Sequence, residues 1–114
     1  MPYIEAKFTA RLEETKKNSL CEKIENAVSA HFQKPKAFEM TEIKDNTPLR
    51  MSGAAMENGA FISVKLFGEA SKTAAAACTR EICSILKKEL EVDGKNIYII
   101  YNGELFWGWN GQMF

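Results

Sequence analysis

The sequence superposes on itself when shifted by 58 residues, the step from Ile4 to Ile62. At that offset Ile4-Glu5-Ala6-Lys7-Phe8 falls on Ile62-Ser63-Val64-Lys65-Leu66, two short runs of strand-forming character. Leu20, Ile24, Ala27, Val28 and Phe32 fall on Cys78, Ile82, Ile85, Leu86 and Leu90. Their spacing of i, i+4, i+7 and i+8 is the apolar stripe of an amphipathic helix. Phe38-Glu39-Met40-Thr41-Glu42-Ile43 falls on Asn96-Ile97-Tyr98-Ile99-Ile100-Tyr101, a second strand in each half, and no gap is needed.

Each half, about residues 2–44 and 60–102, therefore reads strand, helix, strand within a single domain spanning 1–114. The first helix is predicted over about 13–32, stopped by Lys34-Pro35, because proline disfavours helix in the residue before it. The second is predicted from soon after Gly68 to about Leu90, with Val92-Asp93-Gly94-Lys95 as turn chemistry. A β-α-β unit with a helix of this length joins parallel strands by a right-handed crossover. Two such units give a two-layer α+β fold, a four-stranded mixed sheet with both helices on one face. Ile97 to Tyr101 is apolar or aromatic at both parities, so the opposite sheet face is also expected to be apolar and to meet a partner subunit. Residues 44–59 read as an irregular connection, with Asp45-Asn46-Thr47-Pro48 as a turn and loop composition from Met51 to Gly59.

Composition excludes several classes of function. Fifteen basic and fifteen acidic residues cancel, which leaves no electrostatic footprint for nucleic acid or an anionic membrane. No apolar run approaches the roughly 20 residues of a membrane span, and Met1 to Lys7 lacks the apolar block of a secretory signal. A cytoplasmic protein is expected, or one exported by a route that reads no such signal. Cys21, Cys78 and Cys83 form no C-x-x-C and His31 is the sole histidine, so no metal site and no cofactor are expected. Phosphate loops, nucleophile elbows and dinucleotide fingerprints are absent.

One group stands out chemically. If Met1 is removed, Pro2 becomes the first residue and its ring nitrogen a free secondary amine. An α-amino group titrates at roughly pH 7.7–8.0, far below lysine at roughly 10.4. It is among the few groups here able to serve as a base near neutrality without an extreme shift.

Pro2 behind the initiator Met, Lys34-Pro35 closing the first helix, the doubled β-α-β unit and the tail Gly108-Trp109-Asn110-Gly111 with Phe114 together resemble the macrophage migration inhibitory factor family, within the tautomerase superfamily. The resemblance covers essentially the whole chain. It implies a homotrimer with active sites at subunit boundaries and a keto–enol tautomerase acting on phenylpyruvate-like and dopachrome-like acids. Carried over residue by residue, Pro2 is the catalytic base, Lys34 faces the substrate carboxylate, and Tyr98 is lent by the neighbouring subunit. Phe67 sits where a backbone amide contributes to binding. Tyr3, Phe38, Trp107, Trp109 and Phe114 form the pocket wall, and Ile100 replaces the family's asparagine, which removes one polar contact. Gly59-Ala60-Phe61-Ile62 stands where the mammalian cytokine has C-x-x-C, so thiol oxidoreductase activity is not expected.

Plainer readings stand beside these. Lys34 also suits the dipole of a helix C-terminus, Tyr98 an ordinary strand position, and both tryptophans an interface. The resemblance also implies a second function, a secreted cytokine-like signal binding a cell-surface receptor. A decarboxylase or dehalogenase of the same superfamily needs an additional arginine or glutamate at the pocket, for which the sequence offers only Arg50.

Overall fold

The two halves fold alike. The computed structural model describes residues 1–114, with elements in the order β1 (Pro2–Phe8), α1 (Glu14–Phe32), a 3-10 turn (Lys36–Phe38), β2 (Met40–Lys44), β3 (Arg50–Met51), β4 (Ala54–Ala55), β5 (Ala60–Phe67), α2 (Lys72–Leu90), a second 3-10 turn (Gly94–Asn96), β6 (Ile97–Glu104), β7 (Gly108–Trp109) and β8 (Gln112–Met113). The helices obey the 58-residue offset to the residue, since Glu14 falls on Lys72 and Phe32 on Leu90. So do the residues that end them: Gln33 and Glu91 take left-handed backbone, φ 54° and 57°, and each returns its N–H to the last helical turn.

The fold is α+β, a four-stranded mixed sheet of order β2-β1-β5-β6. β1 with β2, and β5 with β6, are parallel, as the crossovers require. The halves join by antiparallel pairing of β1 and β5, running from Pro2↔Leu66 to Phe8↔Ala60. Alternation along β1 buries Pro2, Ile4, Ala6 and Phe8 and leaves the residues between them half-exposed. Ile62, Val64 and Leu66 of β5 share that buried face. Leu20, Ile24 and Val28 of α1 and Cys78, Ile82 and Leu86 of α2 close it from one side, all fully buried. The Leu12 N–H donates to Asp45 Oδ2 at 2.8 Å, fixing the entry to α1 against the end of β2.

Three expectations are corrected. Phe38 does not belong to a strand: the Phe38 N–H donates to the Pro35 carbonyl and that of Glu39 to Lys36, so the strand begins at Met40 and the Phe38 ring turns outward. The sheet face away from the helices is not apolar throughout. Tyr98, Ile100 and Phe61 lie there, but so do Glu5, Lys7, Glu42, Ser63, Lys65 and Asn102, because β1, β2 and β5 place charged or polar residues at that parity. Residues 50–55 are a small hairpin rather than loop, turned at Ser52-Gly53 with positive φ at both.

One glycine is required by packing. A Cβ on Gly103 of β6 would overlap the Gly68 carbonyl oxygen and stand 3.1 Å from the Ala70 nitrogen, and both are backbone atoms that cannot swing away. Gly103→Ala is expected to destabilise the chain by about 1–3 kcal/mol, as overpacking generally does. Gly94→Ala, with nothing within 4 Å of the added carbon, should sit within about 0.5 kcal/mol of the parent in urea unfolding.

Candidate active site

Pro2 opens β1 at the end of the central pairing, fully buried on the helix-facing side. A cavity of about 470 Å³ opens beside it, lined by Met1, Pro2, Tyr3, Ala37, Phe38, Glu39, Met40, Trp107, Gly108 and Trp109. The wall is built from three places. β1 brings Pro2 and Tyr3, the 3-10 turn after α1 brings Phe38, and the C-terminal segment brings both tryptophans. β7 and β8 fold back through Asn110-Gly111, whose φ values of 52° and 75° suit a two-residue hairpin turn. That fold-back holds the rings in a row: Phe38 meets Trp109 edge-on at 5.7 Å, Trp109 stacks on Phe114 at 6.3 Å, and Phe114 tilts against Phe67 at 5.5 Å.

Lys34 is not part of the cavity lining, but it is held beside it. Its Nζ donates to the Phe67 carbonyl at 3.0 Å, and the Ser29 hydroxyl anchors its own carbonyl at 2.5 Å. The Phe67 N–H donates to the Met1 carbonyl at 3.2 Å. The Pro2 nitrogen here is bonded to Met1, so the titrating amine is that of Met1. Its pKa lies below the ordinary 8.0, first because burial penalises the charged form and second because of the Lys34 cation, while Glu39 pulls the other way.

Tyr98 and Ile100 are not brought to this cavity within one chain. Pro2 pairs with Leu66 and Tyr98 with Phe61, five residues further along β5, or about 17 Å at roughly 3.4 Å per residue. They also lie on the opposite sheet face, 64% and 45% exposed. Arg50 is equally remote, its guanidinium donating to the Gly53 carbonyl at 2.7 Å. No cluster of three or more His, Cys, Asp or Glu side chains is arranged to hold a metal ion. No helix is long and apolar enough to cross a membrane.

Glu39 is the residue that sequence reasoning missed. Both its carboxylate oxygens are buried without a hydrogen-bond partner. Burial first, and the Glu25 carboxylate second, push its pKa up to about 7, against the pull of Lys36 and the terminal amine. Strand alternation carried the signal: Thr41 and Ile43 face the helices through their pairing with Ile4 and Ala6, so Glu39 falls on the same inward side.

A family model described as macrophage migration inhibitory factor (MIF) matches residues 1–114. Among solved structures, MIF2 of Leishmania major is similar over 100% of this chain and 97% of its own, with 26% identity and a TM-score of 0.90. The MIF-like protein of Entamoeba histolytica matches 99% of this chain and 98% of its own at 20% identity, TM-score 0.88. A structure described as a fused 4-OT wild-type symmetric trimer matches 90% of this chain and 85% of its own at 15% identity, TM-score 0.78. No curated protein matches in sequence.

The folded chain holds the Glu39 proton more tightly than the unfolded chain does. This group's stabilisation is therefore whole below about pH 4.5 and is lost as the pH rises through about 7. Glu39→Gln, which cannot ionise, is expected to lose less stability across that window and to exceed the parent above it. Urea unfolding on either side of the window measures the difference.

Proposed function

Because the chain belongs to the macrophage migration inhibitory factor family, we propose that it is a cofactor-independent keto–enol tautomerase of phenylpyruvate-like acids, with Pro2 as the base once Met1 is removed. The observation that carries this reading is the placement of Pro2: fully buried, at the mouth of an aromatic cavity, beside a lysine. The surroundings that depress the Met1 amine would act on the Pro2 nitrogen too, and its deeper burial favours the neutral form further. A base that is neutral near working pH is what proton abstraction beside a carbonyl needs.

The chemistry follows from the positions. Lys34, fixed on the Phe67 carbonyl, would meet the substrate carboxylate, and the rings of Phe38, Trp109 and Phe114 would take the aryl group. Pro2 would accept the proton from the carbon between ring and carbonyl. The C–H electron pair becomes the new C=C bond while the carbonyl π pair moves to oxygen, which then takes the proton from the Pro2 nitrogen. Loss of Met1 also frees the Phe67 N–H, whose acceptor is now the Met1 carbonyl, to donate to a substrate oxygen.

The reading requires a second copy of the chain. Tyr98 would reach the cavity only from a partner subunit in a homotrimer, an assembly supported by the family and by the symmetric trimer among the structures of this fold. The apolar exposure of Tyr98, Ile100, Leu105 and Phe106 is consistent with covered surface in such an assembly.

Pro2→Gly in Met1-free protein is expected to lose at least about 100-fold in phenylpyruvate enolisation with the oligomer intact. Activity close to the parent's in that variant would end the reading. Refolding Pro2→Gly together with an inactive Tyr98→Ala should restore activity that neither has alone, because mixed trimers contain boundaries with both residues native. No recovery would place Tyr98 outside the site.

A further inference from the structure

We propose that Glu39 is a positioning residue for the Pro2 nitrogen: its buried carboxylate is the counter-charge of the protonated amine, and the two hold one proton between them. The geometry comes from strand register. β1 and β2 run parallel with Tyr3 opposite Met40, so Pro2, one step before Tyr3, comes level with Glu39, whose extended backbone (φ −79°, ψ 135°) leads into β2. Paired strands lie about 4.8 Å apart, Pro2 is on the buried parity of β1, and Glu39 precedes β2 in step with Thr41 and Ile43, the partners of Ile4 and Ala6. Both line the same cavity. Neither carboxylate oxygen reaches water or finds a donor, so the one cation able to come close without a long flexible stem is the amine at the front of β1.

The groups around this pair act in both directions. From α1, Glu25 faces Glu39, with one of its own oxygens held by the Thr41 hydroxyl at 2.6 Å, and Cys21 lies within electrostatic reach. Lys36 of the 3-10 turn opposes Glu25, and Lys34 opposes protonation of the amine. Glu39 favours the protonated amine, and the amine favours ionised Glu39. Two groups coupled in this way titrate in macroscopic steps that belong to the pair. Removing Met1 puts the charge on Pro2 itself, the strand neighbour of Glu39, in a more buried place. The apolar wall and Lys34 both favour the neutral nitrogen. Glu39 opposes both and favours the protonated form, and it adds a negative charge that an anionic keto acid must meet whenever the carboxyl is ionised.

This inference rests on the proposed role of Pro2, and its test separates the two. In Met1-free protein with labelled proline, nitrogen NMR follows the protonation of Pro2 directly, whether or not any keto acid is turned over. Glu39→Gln is expected to lower the Pro2 titration midpoint by about one unit or more, the effect of removing one nearby opposite charge. Glu39→Asp, which keeps the charge, should stay nearer the parent. The acid limb of the kcat/KM profile for phenylpyruvate should move with the midpoint, a response that a merely structural residue would not give. An unchanged midpoint in the glutamine variant overturns the proposal. If that variant does not fold, Glu39→Ala carries the same reading. Absence of turnover in the parent would instead overturn the tautomerase assignment and leave the titration result standing.

Discussion

The antiparallel pairing of β1 with β5 is the constraint on which the remaining structure depends. Each half supplies a strand-helix-strand unit with one apolar sheet surface and one helical stripe, too little to close a core alone. Pairing the first strand of each half, from Pro2↔Leu66 to Phe8↔Ala60, merges the two surfaces into one and lets α1 and α2 lie side by side over it. The same pairing fixes where the proposed chemistry would sit. Pro2 is the first paired residue of β1, held against the end of β5, so the front of the chain lies at the rim of the core with buried surroundings on one side and a cavity on the other.

The cavity is electrostatically divided. Lys34 lies on the Phe67 side, anchored by a backbone carbonyl that keeps it from swinging into water. Glu39 lies on the β2 side, with no partner of its own. A cation and a carboxyl on opposite flanks of one amine work against each other, and burial amplifies both because the local dielectric is low. Burial with Lys34 dominates at the Met1 amine, whose pKa falls. For Glu39 burial dominates, and its proton is held up to about pH 7. The site is therefore tuned by opposed terms rather than by a greasy pocket alone.

The first helix and the end of the second are legible to within a residue, because amphipathic spacing and internal repetition give independent readings of the same segments, while the start of the second, expected soon after Gly68, lies at Lys72. Gln33 and Glu91 end them at equivalent positions, although neither is the glycine that usually marks such an end. Phe38 was misjudged because its apolar character fits a strand as well as the turn that Pro35 starts. The open sheet face is not legible from β6 alone, because β1, β2 and β5 place charges or polar groups there. The turn of the C-terminal hairpin is carried by two residues, Asn110 and Gly111, both with positive φ. Glu39 was readable as well, once parity is followed past Pro35. Its lost solvation and missing partner were not, since both depend on α1 packing over the strand.

Pro2 and Tyr98 illustrate a limit of a different kind. The repeat makes the pairs β1–β2 and β5–β6 equivalent, so the cavity at the start of β1 has a counterpart at the start of β5, lined by Ala60, Phe61, Asn96 and Tyr98. The equivalence is broken where function enters. β5 is preceded by chain at Gly59, whose carbonyl accepts the Thr9 N–H at 3.1 Å, and no amine can exist there. Only the first half can place a terminal nitrogen in the sheet, and only it has Lys34 and Glu39 at the matching places, where the second half has Val92 and Ile97. Tyr98 stands on the second half's strand about 17 Å from the first half's cavity, and no motion within a packed sheet closes that gap. A site using both residues must therefore be completed between copies of the chain. The duplication supplies the scaffold twice, and the proposed chemistry belongs to only one of its two ends.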